Sequence, residues 1–151
     1  VTHFVAGLGT CGTITGTGRF LTELKSSIKI LGVHPEEGHD IPGVRSIRQL
    51  QQTKLFIPDE YDGLIEVTNQ DAFDLCLRLN REESIIAGPS SGMALSGAFK
   101  LVPDEPGNIA VVVFPDSAFK YASSVVKYLP GLEAGTPKPA APWPPGQFLR
   151  R

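Results

Sequence analysis

THFVAGLGTCGTITGTG, residues 2–18, carries the reading of the fold. Its first six residues, Thr2 to Gly7, are apolar and β-prone. The run breaks at a glycine-rich stretch from Gly7 to Gly18, ahead of the helix-like RFLTELKSS of residues 19–27. That order is strand, tight loop, helix. A second apolar run of strand length, KILGVH at residues 29–34, comes next. Two strands flanking one helix predict a parallel βαβ unit, because parallel neighbours need a crossover that a helix supplies. The expected fold is α/β: an open, mainly parallel sheet with helices on both faces, in three layers.

Downstream, residues 35–58 mix Gly and Pro breaks with scattered apolar positions and read as an irregular connection that lines a site. GLIEVT (63–68) is again strand-like, with Asn69 expected to cap a helix whose first turn holds Asp71 and whose Ala72, Leu75, Cys76 and Leu79 recur at helical spacing. Ile85 to Ala87 form a short apolar segment, GPSSG (88–92) a second turn, and MALSGAFKLV (93–102) a helix starting there. NIAVVVF (108–114) reads as the clearest buried strand, continuous in β-branched residues as central parallel strands are. PDSAFKY (115–121) then repeats the order of strand, turn and helix start. Residues 1–130 are expected to form one domain. The Pro-dominated residues 131–151 are expected to be a disordered or extended tail.

The 151 residues suffice for one domain with its own core and fall short of two ordinary ones. At 41% hydrophobic and 20% charged residues, the composition is that of a globular chain and excludes a disordered or fibrous one. A formal net charge of -2 lacks the basic footprint of a nucleic-acid binder. No apolar run approaches the ~18 residues of a membrane span, and no basic segment leads into a cleavable apolar stretch, so a cytoplasmic location is expected. Cys11 and Cys76 have no Cys or His partner at zinc spacing and make no disulfide framework. Val1 opens directly in strand-like sequence, and the chain is expected to begin within a domain.

Three turns follow strands and open helices, at Gly9 to Gly16, Gly88 to Gly92 and Pro115 to Ser117. In an open parallel sheet such turns share the carboxyl edge, where ligands bind, and should converge on one site. In the first, glycines 9, 12 and 16 admit close backbone approach while Thr10, Thr13 and Thr15 add hydroxyls. A helix start of this kind binds an anion such as a phosphate monoester. The competing reading is a dinucleotide fingerprint, G-x-G-x-x-G at Gly7, Gly9 and Gly12, with Glu36 or Glu37 taking a ribose hydroxyl of NAD. Against it stand the hydroxyl-rich residues 10–15 and the GPSSG turn. His3, His34 and His39 have no carboxylate or serine at triad spacing, and Asp74, Glu82 and Glu83 read as a solvated helix face.

Gly9-Thr10-Cys11-Gly12-Thr13-Ile14-Thr15-Gly16 closely resembles the phosphate loop of the fold type II pyridoxal-phosphate enzymes, the cysteine synthase and cystathionine β-synthase family. The resemblance continues in family order through ILGVHPEEG, GLIEVTNQDAF, IIAGPSSGMAL and VVVFPDSAFKYASS, over about residues 1–128. It implies part of a tryptophan-synthase-β-like fold, with pyridoxal 5'-phosphate as cofactor. Gly9, Thr10, Cys11, Gly12 and Thr13 would hold the cofactor phosphate, and Cys11, standing where the family has glycine, must accept a glycine's dihedral angles. Ser90, with Ser91 in reserve, would face the pyridine nitrogen; the alternative is that both serines cap the next helix. Asp116 and Ser117 are read as serving turn geometry near the cofactor. Arg45, in GVRSI, resembles the arginine with which the O-phosphoserine-using, cysteine synthase B-like branch grips substrate phosphate. It reads equally as a solvated loop arginine, and Arg48 is placed to exchange roles with it.

The implied reaction is β-replacement on an amino-acid substrate, O-acetylserine or O-phosphoserine, giving cysteine. The family's cofactor lysine and its substrate loop precede the residues present here, and Lys25, Lys29, Lys54, Lys100, Lys120, Lys127 and Lys138 stand in no matching context. The chain is therefore expected to hold no catalytic residue, to be inactive alone, and to need a missing N-terminal half or complementary subunit, the full-length enzyme being a homodimer. An interaction module that has lost catalysis is the remaining alternative.

Overall fold

The structure is a computed structural model that describes residues 1–128. Strand β1 (His3–Gly7) leads into helix α1 (Gly12–Leu24), β2 (Lys29–Pro35), the short α2 (Ile47–Leu50), β3 (Gly63–Val67), α3 (Asn69–Glu83), α4 (Pro89–Leu101), β4 (Ala110–Val112) and α5 (Ala122–Tyr128). The four strands form one sheet in the order β3-β2-β1-β4. Every pairing is parallel, with His3 beside Lys29 and Ala110, and Leu31 beside Gly63. The α/β class and parallel sheet expected from the sequence are what the chain adopts.

Strand periodicity builds a core on each face. Phe4 and Ala6 of β1 pack with Ile14 of α1 and with Ile28 and Ile30. Val5, pointing the other way, packs with Leu31, Val33, Met93 and Ala98 beneath α4. Helix α4 is buried along residues 89–98, which explains its small residues. A Cβ on Gly92 would stand 2.0 Å from the Ala72 carbonyl oxygen of α3, and one on Gly97 2.3 Å from a methyl of Val33. The two helices meet backbone to backbone where Gly92 lies. On the same side of the sheet Tyr128 of α5 stacks on the buried Phe73, ring centroids 4.4 Å apart.

Several local expectations need correction. Helix α1 starts at Gly12 and not near Arg19, so the glycine- and threonine-rich residues 12–18 are helical. Burial of Ile14, Thr15 and Gly18 on one side outweighs weak propensity. Thr68, not Asn69, caps α3, its hydroxyl accepting from Asp71 N at 3.2 Å. GPSSG is a cap residue, Gly88, followed by the first turn of α4, with Pro89 at its start where a missing N–H costs nothing. Ile85 to Ala87 form no strand beyond a bridge from Ala87 to Ser117. The run at 108–114 yields a three-residue edge strand: β4 pairs with β1 alone among the described residues, and Ile109 and Val111 are exposed. An apolar β-branched run thus marks a strand without fixing its place in the sheet or its burial. The residues 131–151, expected to form a disordered tail, lie outside the described residues. No helix among the described residues is long and apolar enough to cross a membrane.

Candidate functional site

The carboxyl ends of β1, β2 and β4 bring the turns together. Leu8, just past β1, donates its N–H to Val33 O at 2.8 Å and receives Arg45 N–H on its carbonyl at 2.9 Å. The turn is thus laced both to β2 and to the connection after it. Gly9 has no room for a side chain: a Cβ there would sit 2.6 Å from the Gly43 carbonyl oxygen. Cys11 is the N-cap of α1 with φ 67 and ψ 1, the left-handed conformation a glycine would take freely, and no side chain caps the helix there. The first helical bond runs from Thr15 N to Cys11 O at 2.9 Å, which leaves the N–H groups of Gly12, Thr13 and Ile14 open at the positive end of α1.

Thr10, Gly12 and Thr13 are exposed on this turn, whereas Cys11 is buried. Burial pushes the Cys11 thiol up, against the lowering influence of the Tyr61 and Thr53 side chains and of the Arg45 charge. Thr15 is also buried, and its hydroxyl is spent on Leu55 O at 3.0 Å, so it offers no donor to a ligand. The groups on this turn that could cradle an anion are therefore the backbone N–H around residues 9–14 and the hydroxyls of Thr10 and Thr13.

Ser90 lies across the end of β1 from this cradle. A Cβ on Gly7 would be 3.8 Å from Ser90 O and 2.9 Å from Met93 Cε, which places the first turn of α4 directly against the last residue of the strand. Ser90 is buried; Ser91 is wholly buried, and its Oγ has no hydrogen-bond partner among the described residues. The third turn locks onto the second, Gly88 N–H donating to Asp116 O at 2.9 Å beside the Ala87–Ser117 bridge. Arg45 is half-buried at the same edge and lines a recess of about 450 Å³ with Val44, Gln49, Gln52 and Thr53. Arg48, by contrast, is exposed, with its backbone N–H on Glu37 Oε1.

The sequence pattern did not foresee the task of Glu36 and Glu37. Glu36 Oε1 accepts Asn69 N–H at 2.7 Å at the start of α3, and Glu37 Oε1 accepts Arg48 N–H at 3.2 Å in α2. Both carboxylates are engaged at helix starts, a structural task that the dinucleotide reading did not assign them. Gly43 and Val44 were also missed; the Pro-Gly pair at residues 42–43 was the available signal for a backbone approaching the turn. A separate groove of about 560 Å³ lies between α3, α4 and β4, lined by Leu79, Phe99, Val112 and Phe114 among others, and contains none of these turn residues.

Open amides at the first helix and a buried serine pair at the start of α4 thus lie on two sides of one strand end. A family model described as pyridoxal-phosphate dependent enzyme matches residues 1–116, and the chain belongs to that family. Within it, cysteine synthase B of Salmonella typhimurium is 37% identical over 126 residues, covering 83% of this chain and 42% of that protein. Cysteine synthase of Aquifex aeolicus is 36% identical over 132 residues, covering 83% and 40%. The crystal structure of O-ureido-L-serine synthase superposes with a TM-score of 0.78 at 26% identity, over 90% of this chain and 45% of that one. The chain thus spans about two-fifths of the length of the curated relatives it matches. The fold type II resemblance and pyridoxal phosphate as the family's cofactor both stand on these matches.

Proposed function

We propose that this chain is the cofactor-phosphate and ring-nitrogen half of a cysteine synthase-like β-replacement enzyme. The observation that carries it is the turn from Leu8 to Thr13, with open amides and two exposed hydroxyls, set across the end of β1 from Ser90. The residues fit the group: Gly9 is a cradle that a Cβ would fill, and Ser91 Oγ is an orphaned buried hydroxyl at the opposite wall.

Pyridoxal phosphate, when bound, supplies an electron sink for bonds at the α and β carbons of an amino acid. The protein's part is to bind and orient. The amides of residues 9–14 and the hydroxyls of Thr10 and Thr13 would hold the phosphate, with the dipole of α1 favouring its charge. Cys11 contributes a backbone conformation and a filled space. Ser90 would meet the ring nitrogen, and a hydroxyl, able to donate or accept, leaves that nitrogen free to stay unprotonated as β-elimination favours. Arg45, half-buried in its recess, would grip a substrate phosphate in bidentate fashion, a role that goes with O-phosphoserine rather than O-acetylserine. The lysine that moves the substrate proton belongs to the half this chain lacks, so the chain alone is inactive and acts with an N-terminal half or complementary subunit in the cytoplasm, as a homodimer at full length.

The test is a calorimetric titration of the purified chain with pyridoxal phosphate beside NAD, repeated after changing Thr10 and Thr13 to Ala. Saturable binding of pyridoxal phosphate that the double substitution abolishes is expected. Preferential NAD binding would overturn the reading.

A further inference from the structure

Asp116 does more than shape a turn. Its carboxylate lies against Gly88, the cap of α4, so closely that a Cβ on Gly88 would stand 2.2 Å from Oδ1. Its backbone carbonyl receives Gly88 N–H at 2.9 Å, which fixes the carboxylate relative to the helix start. Oδ2 receives the hydroxyl of Tyr121, while Oδ1 is buried with no hydrogen-bond partner among the described residues. A carboxylate oxygen left in this state keeps its field for whatever binds beside it.

Ser90 stands two residues further along the same helical turn. We propose that Asp116 is a positioning residue whose charge acts on the ring nitrogen of the cofactor held at Ser90 and raises that nitrogen's affinity for a proton. The proposal rests on the reading of Ser90 as the ring-nitrogen partner and adds what Ser90 leaves open. A serine hydroxyl accommodates either protonation state. The positive end of the α4 dipole opposes a proton there. The Asp116 carboxylate, at the mouth of the same helix, opposes the dipole and restores part of that affinity.

Two titratable groups among the described residues face the carboxylate. Tyr121, from the turn after β4, donates to Oδ2 and spreads the charge. Cys76, from α3, donates its thiol to Ala87 O at 3.0 Å; burial first, and the Asp116 charge second, push that thiol up to about 11, so it stays neutral and does not compete. From α4 itself the neighbours Gly88 and Ser91 do not titrate. Neither Tyr121 nor Cys76 carries a charge that would offset the Asp116 carboxylate.

The test uses the full-length protein loaded with pyridoxal phosphate isotopically labelled at the ring nitrogen, whose chemical shift is followed against pH by NMR. Phosphorus NMR checks that the phosphate remains bound. Asp116→Asn is expected to lower the midpoint of the ring nitrogen by about one pH unit, an about tenfold weaker hold on the proton. Tyr121→Phe, which leaves the carboxylate less neutralised, moves it upward. An unchanged midpoint in Asp116→Asn with the phosphate still bound overturns the proposal, and if that variant does not fold, the absence of an upward shift in Tyr121→Phe does so. A wild-type protein whose ring nitrogen is indifferent to Ser90→Ala defeats the reading of Ser90 instead, and this inference with it.

Discussion

Cys11 occupies a left-handed backbone position that glycine adopts freely and β-branched residues do not. A left-handed conformation costs a non-glycine residue ~1–2 kcal/mol, but Cys11 recovers part of that by being buried in the α1 core. Cys11→Gly is therefore expected to change stability by less than about 1 kcal/mol, whereas the β-branched Cys11→Val should cost more than about 2 kcal/mol; urea unfolding separates the two. Gly9→Ala drives a methyl into the Gly43 carbonyl, and should cost about 1–3 kcal/mol in the same assay while abolishing pyridoxal phosphate binding. Cys76 gives a pH signature. Its thiol is raised in the folded chain from an ordinary 9.0 to about 11, so the native state holds the proton more tightly than the unfolded state. Its contribution is whole below pH 9 and is lost as pH climbs through 11, about 3 kcal/mol in all, and Cys76→Ala should flatten that part of a stability profile. At this scale the sequence shows a glycine pattern and its interruption at Cys11. It does not show that the Thr15 hydroxyl is taken, because the acceptor, Leu55 O, is 40 residues away.

Helix α4 is the element whose composition is best explained by what touches it. Gly92 and Gly97 let it approach α3 and β2 more closely than any side chain allows. Gly92→Ala meets backbone atoms, the Ala72 carbonyl and the Cys76 amide, which cannot swing aside, and should destabilise by about 3 kcal/mol or more; Gly97→Ala meets the Val33 side chain and should cost less, as paired thermal melts would show. The start of α4 was misread as a turn for a physical reason. Gly, Pro and Ser are the residues of turns and equally of helix caps, and only the packing that follows distinguishes them. The same ambiguity displaced the start of α1, whose glycines and threonines are poor helix formers. By contrast α3, with Ala72, Leu75, Cys76 and Leu79 at helical spacing and all buried, was legible to within one residue at its cap.

The parallel sheet and the gathering of three turns at its carboxyl edge were legible for the whole molecule, since strand, turn and helix recur in that order. The strand order was not, because sequence carries pairing only through the register of distant segments. β4 shows the difference: its apolar run was read as central, and the structure sets it at an edge with Ile109 and Val111 exposed. An open, apolar edge invites self-association. The isolated chain should sediment as a concentration-dependent mixture, and changing Val111 to Lys should shift it toward the monomer while leaving cofactor binding intact. The pairing of β1 with β4 also has a temporal side. Thr2 and Ile109, hydrogen-bonded across the sheet, are 107 residues apart. At a synthesis rate of about 5–20 residues per second, the turn after β1 leaves the ribosome roughly 5–20 seconds before the segment bearing Asp116. During that interval β1 can pair with β2 along one edge, while the edge that later receives β4 stands open as an unpaired template.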